Sequence, residues 1–193
     1  MDNPLWPAGR LRRLSPAELD DDQRAVYRAV TGGRRAAGPQ AFALVDDQGR
    51  LTGPFNAMLL SPPVGAALQS LGEAVRYETT LSDRARELAI LVVAAHWGST
   101  FEREAHEAVG RRAGLTDDEL GAVRTGTEPH SLSTDELAAL RTTRALLTGG
   151  GLEDAHYDAA VAALGERGLF ELTTLVGYYG TLALQLRVFA GEG

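Results

Sequence analysis

Four residues in the middle of the chain have the types and spacing to move protons. Glu87, Ser99, Glu102 and His106 form the string E-x11-S-x2-E-x3-H within RELAILVVAAHWGSTFEREAHEAV. Positions 99, 102 and 106 are three and four residues apart, so a helix would carry all three side chains on one face. Two carboxylates close to one imidazole make a set in which one group takes a proton and another returns it. Such neighbours are expected to raise the histidine pKa and favour a protonated, hydrogen-bonded site. The sequence has no cysteine. That excludes disulfides, thiolate nucleophiles and cysteine-ligated metals.

The same residues also admit a purely structural account. Ser99 and Glu102 spell a helix capping box, Glu102 and His106 make an ordinary i,i+4 surface pair, and Glu87 beside Arg84 and Arg86 could be a solvated helix residue. Which account holds depends on whether the elements carrying these residues fold the four side chains into the interior.

Those elements are helices. Ser15-Pro16-Ala17-Glu18 is a capping box with proline in the first turn, predicting a helix to about Val30 that ends at Gly32-Gly33. Residues 31–54 are rich in glycine and proline and read as a long loop, with a short hairpin around Asp47-Gln48-Gly49. A helix carrying Phe55, Met58 and Leu59 follows, then another from about Pro63 to Tyr77. Ser82 opens the helix bearing Glu87, which runs to about His96. Gly98 interrupts it, and Ser99 starts a second helix that continues through Arg112. Thr116 caps a short helix to about Thr125. Ser133 caps another to Leu147, closed by Gly149-Gly150-Gly151. Asp154–Leu164 and Phe170–Phe189 complete the set. No period-2 strand is evident, so the expected class is all-α.

A faint internal repeat suggests two related helical halves in a single domain. DDDQRAVYRAVTGG resembles DELAALRTTRALLTGG, and AAHWGSTFEREA resembles VGYYGTLALQLR in its aromatic-glycine punctuation. The expected layout is an N-terminal arm over 1–14, a first half over 15–126 that holds the motif, and a second half over 133–193. Leu184 and Val188 stand where the second half would need counterparts of Glu102 and His106. That half, with Leu169, Leu172, Leu175, Tyr178, Leu182, Leu184 and Leu186, reads as core.

Composition narrows the function classes. At 193 residues with 44% hydrophobic content, the chain is long enough to bury a substantial core. Net charge is −7, from 26 acidic residues against 19 Lys plus Arg, which argues against nucleic acid as a partner. The longest apolar run, Leu88 to Ala95, is too short to span a bilayer. No signal-like apolar segment is seen at the start, and cytoplasm is the expected location. The four histidines (His96, His106, His130, His156) lie on different segments without HxxxH or HxH spacing, so no metal site is expected. Arg103 and Arg187 sit among apolar residues on helices, where either could anchor a substrate carboxylate.

The stretch LSDRARELAILVVAAHWGSTFEREAHEAVGRRAGLTDDEL resembles the carboxymuconolactone decarboxylase family, which shares the AhpD-like helical fold. GPFNAMLLSP and ELTTLVGYYGTLAL extend the likeness to the longer, two-repeat members. In the family's peroxidase branch a glutamate, two cysteines in CxxC and a histidine form the site. Glu87 and His106 match that pattern here, while Ser99 and Glu102 stand at the two cysteine positions. The resemblance therefore implies the proton-handling half of the site without its redox half, and thiol peroxidase activity is excluded. Cysteine-free relatives commonly show an aromatic-Glu-Trp run before the histidine, whereas this chain has Phe101-Glu102-Arg103.

The expected function is a cofactor-independent lyase, decarboxylase or isomerase acting on a small carboxylated or lactone-like organic acid. Glu102 and His106 would be the proton-transfer pair supported by Glu87, with Ser99, Trp97, Arg103 and Phe101 lining the substrate site. No cofactor is expected. The alternative is a non-catalytic small-molecule-binding or scaffold protein of the same fold. The resemblance also implies a homo-oligomer, a trimer or multiple of trimers, or a dimer.

Overall fold

A computed structural model describes residues 10–37 and 42–190. The predicted arm over 1–14 therefore falls mostly outside the described residues, as does part of the 31–54 loop. The architecture is all-α, in agreement with the expectation. The helices are α1 (Asp21–Gly32), α2 (Phe55–Met58), α3 (Pro62–Tyr77), α4 (Asp83–Trp97), α5 (Thr100–Arg112), α6 (Asp117–Arg124), α7 (Thr134–Gly149) and α8 (Asp154–Gln185). Among the described residues the sole β pairing is an isolated bridge between Val45 and Leu51, at the place where the short hairpin was expected.

Helix α4 is the axis of the fold. It packs against α5, α6, α7 and α8. Its apolar run explains why: from Leu88 to Ala94 every side chain is buried. A helix that is apolar all round must be surrounded. Glu87 opens this run, and a carboxylate at the head of a fully buried segment is the least expected residue in it.

Local caps set most boundaries. Ser82 accepts from the Ala85 N–H at 3.3 Å, and Thr116 and Ser133 make reciprocal capping boxes with Glu119 and Glu136. The first predicted helix breaks in two. Ser15 and Glu18 cap only a 3-10 turn (Pro16–Glu18), and Asp20 starts α1 with its own capping box to Gln23. Two capping signals five residues apart compete, and the second one opens the long helix. At the other end, α8 is broken at Gly165 (φ 72°, ψ 163°, non-helical), so the interruption expected after Leu164 is present and the second helical segment begins before Phe170. A short π-helical turn, Leu186–Ala190, follows it. Leu184, expected in the core, is 46% exposed. It lies on the outward face of α8, while Leu182, Ala183 and Leu186 face inward.

Candidate active site

The turn between α4 and α5 places the motif. Gly98 adopts φ 64° and ψ 27°, the left-handed conformation that ends a helix tightly and that glycine reaches without a Cβ penalty. Ser99 follows as N-cap of α5. The chain thus folds back on itself within two residues. Glu87 lies eleven residues before Gly98 and His106 eight after it, about 16 and 12 Å along their helices at 1.5 Å per residue. The two side chains therefore meet across the hairpin.

They meet in a short hydrogen bond. His106 Nδ1 is 2.6 Å from Glu87 Oε2, with Glu87 fully buried and His106 5% exposed. Burial pushes the Glu87 carboxyl up, but His106, Arg76 and Arg86 together outweigh it, and the group lies below its ordinary value. Burial pushes His106 down, and Arg76 and Arg35 add to this, so that Glu87 only partly restores it. The net direction for His106 is downward, opposite to the rise expected from its carboxylate neighbours. Burial of the imidazole is the main cause of the reversal, and Arg76 and Arg35, which sequence spacing does not reveal, add to it. The state that fits both shifts is a Glu87 carboxylate accepting from a neutral imidazole's Nδ1–H. That leaves the Nε2 lone pair as the available base.

Aromatic rings and cations enclose this pair. The Tyr179 ring stands edge-on to His106 with centroids 5.1 Å apart, and Tyr178 stands edge-on to Tyr179 at 5.2 Å. Both tyrosines come from the buried face of α8. Burial holds their phenols above the usual value, so both stay protonated. Arg76, from α3, lies close enough to shift Glu87, His106 and Tyr179. Arg86 Nε is 3.9 Å from Glu87 Oε1.

The other predicted site residues divide into two groups. Ser99 and Glu102 are buried, 1% and 2% exposed. Ser99 Oγ accepts from the Glu102 N–H at 3.5 Å, and the Ser99 N–H donates to the Ala94 carbonyl at 2.9 Å. The reciprocal half of the capping box is thus taken by backbone, and the Glu102 side chain does not serve as a cap. Glu102 lies one helical turn before His106 and near enough to act electrostatically on Tyr178. Phe101 is buried against Leu186, edge-on to Phe42 at 4.9 Å.

Trp97 and Arg103 lie elsewhere. Trp97 packs on the core beside Gly180, edge-on to His96 at 5.4 Å, and its carbonyl accepts from Arg187. Arg103 reaches Glu104 and Glu107 at 3.6 and 3.9 Å on a partly exposed face. Arg35 and Arg76 were not anticipated from the sequence. Nothing in local spacing marks them, since they come from a 3-10 turn and from α3. Among the described residues no group of three or more His, Asp or Glu side chains could hold a metal ion. No helix among them is long and apolar enough to cross a membrane.

The carboxymuconolactone decarboxylase family model matches residues 62–145. No curated protein matches the sequence. Among solved structures, the debrominase Bmp8 in its apo form is similar with a TM-score of 0.65 and 15% identity, covering 95% of this chain and 89% of that one. A cysteine-to-alanine variant of the same debrominase, in complex with 2,3,4-tribromopyrrole, gives a TM-score of 0.65 at 14% identity, covering 96% and 89%. The Agrobacterium tumefaciens protein of unknown function ATU0492, proposed as an AhpD antioxidant defence protein, gives 0.64 at 20% identity, covering 73% and 97%. At these identities the likeness is one of fold.

Proposed function

We propose that the protein, whose residues 62–145 match the carboxymuconolactone decarboxylase family model, is a cofactor-independent lyase or isomerase for a small carboxylated or lactone-like organic acid. The observation that carries this reading is the buried 2.6 Å bond between Glu87 and His106. An imidazole held by Nδ1 and kept neutral by burial is a general base at neutral pH. Glu87 fixes its tautomer and stabilises the cation formed when Nε2 takes a proton.

In an isomerisation, Nε2 would remove a proton from carbon next to the substrate carbonyl. The C–H electron pair would move into the carbonyl oxygen, and the same proton would return to a different carbon. In a decarboxylation, the electron pair of the breaking C–C bond would follow that path, CO2 would leave, and a proton would be delivered to the carbon. Glu102, one turn away on the same buried helix face, is the second carboxyl group available for that delivery. Reduction of peroxide by a thiol plays no part, since the sequence contains no cysteine.

The test is turnover of a panel of lactones and 2- and 3-oxo acids, with release of CO2 monitored. Activity should be abolished in His106→Ala and strongly reduced in Glu102→Gln, with helical content retained in both. No turnover across the panel, or full activity in His106→Ala, would remove the catalytic assignment. We further propose a homo-oligomer. Leu60, Val64 and Leu71 lie at helical spacing at and along α3 and are 56%, 56% and 37% exposed, an apolar stripe suited to a second copy.

A further inference from the structure

Arg35 is the most costly residue in this interior. It is 9% exposed, and its Nε has no hydrogen-bond partner among the described residues. A guanidinium cannot escape that cost by deprotonating. Its flat face is occupied by the Phe55 ring, with the guanidinium carbon 4.9 Å from the ring centroid. Nε and Nη2 are the two nitrogens of one edge of the fork, the edge that donates two parallel hydrogen bonds to a carboxylate. Beside this edge stands the Tyr178 hydroxyl, also buried and close enough to Arg35 for charge and hydrogen bonding from the guanidinium to offset part of the effect of burial on the phenol. Gly72 makes the approach possible. A Cβ there would meet the Tyr178 hydroxyl inside van der Waals contact and lie 2.9 Å from Arg35 Nη2.

The Arg35 edge and the Tyr178 hydroxyl therefore meet, from the Arg34–Ala36 3-10 turn and from α8, with Arg35 Nε left without an acceptor among the described residues. His106 is close enough for Arg35 to influence its titration. We propose that the open edge of Arg35, with the Tyr178 hydroxyl, is the subsite for the carboxylate of an organic acid whose apolar body lies against the Phe55 and Tyr178 rings. This deepens the proton-transfer reading and rests on it only for the position of His106 relative to the reacting carbon. Binding can be measured without turnover.

The experiment is calorimetric titration of the full chain with benzoate and with its neutral isostere benzamide. Benzoate should bind saturably, and benzamide at least about tenfold more weakly, a difference of about 1.4 kcal/mol. Arg35→Gln should lower benzoate affinity by at least about tenfold and Tyr178→Phe by about threefold, while Arg141→Gln, in the exposed pair with Glu128, should leave it unchanged. Benzamide binding as tightly as benzoate would overturn the proposal, as would absence of saturable benzoate binding. Undiminished affinity in a folded Arg35→Gln variant would do the same. Should Arg35→Gln fail to fold, the two ligands on the native chain and Tyr178→Phe still decide the matter. Arg35-dependent benzoate binding with no turnover of any acid would leave the subsite standing and remove the catalytic reading.

Discussion

Glu87→Gln separates the role of the buried pair from that of either residue alone. The substitution preserves volume and removes one negative charge from a fully buried position. It converts the 2.6 Å bond to His106 from a charge-assisted bond, worth about 1.5–3 kcal/mol, to a neutral one worth about 1 kcal/mol. Arg76 and Arg86 lose a counter-charge at the same time. The expected destabilisation is roughly 1–3 kcal/mol. For a chain of this size that corresponds to a fall in Tm of roughly 3–10 °C. If the carboxylate stabilises the imidazolium during proton transfer, kcat falls by the same interaction, about 5- to 150-fold, while substrate affinity stays near its native value.

The sign of the histidine titration is decisive and needs no substrate. Glu87 is the group that raises His106 against the lowering by burial and by Arg76 and Arg35. Its removal must therefore move His106 further down. Nitrogen-15 NMR of the imidazole reads both this titration and the tautomer. The native protein should show the Nδ1–H form, and the variant a loss of that preference. An upward movement of the His106 titration, or an unchanged tautomer and unchanged Tm, would refute the reasoning.

Two further outcomes are expected. Arg84 of α4 joins Glu119 of α6 at 2.7 Å and Glu136 of α7 at 2.5 Å, and the two carboxylate side chains are only 4% and 9% exposed. Arg84→Met should cost about 3–5 kcal/mol at pH 7 in urea unfolding, because two buried carboxylates lose their cation. Burial raises Glu119, but Arg84 and Thr116 bring it from 4.5 down to about 2. A depressed carboxyl stabilises the fold above pH 4.5 and loses that contribution as pH falls toward 2, here at most about 3 kcal/mol. The native and variant proteins should therefore differ less at pH 3 than at pH 7, and an equal difference at both would count against the bridge. The pH profile of kcat/KM gives the second outcome. A lowered His106 keeps the base form available through pH 7–8, with activity falling only below pH 6.5. An optimum below pH 6 would indicate that the protonated imidazole is the active form.

The helix boundaries were legible where a single capping residue governs them. Ser82, Thr116 and Ser133 each start a helix at the expected place because the cap is a local hydrogen bond. Competing caps defeated the same reasoning at Ser15 and Asp20. At the site, the grouping of Glu87 with His106 followed from the turn signal at Gly98. The partner of the imidazole did not follow. Spacing favoured Glu102 at i−4, whereas the bond goes to Glu87 on the neighbouring helix. Arg35 and Arg76 were invisible, because their approach depends on how α3 and a 3-10 turn pack around α4. The direction of the His106 shift was misread for the same reason. Local spacing supplied the carboxylates, and tertiary packing supplied the burial, reinforced by Arg76 and Arg35, that outweighs them.

The buried polar cluster is hard to explain as architecture. Helix α4 already has an apolar run long enough to organise α5 to α8 around it. A Leu at Glu87 would extend that run, and an apolar residue at His106 would pack against the Tyr179 ring. Replacing a buried ion pair with well-packed apolar side chains is often neutral or stabilising by about 1–4 kcal/mol. The chain instead buries Glu87, His106, Arg35, Tyr178 and Tyr179 together, and leaves Arg35 Nε without a partner among the described residues. An unsatisfied buried donor costs about 1–3 kcal/mol, and more when charged. That cost, with two phenols and a carboxylate taken out of water around one imidazole, is large against the stability of an ordinary fold. A carboxylated ligand would supply an acceptor for Arg35 Nε, and its binding would recover part of that cost, which would tie the stability of the interior to its chemistry.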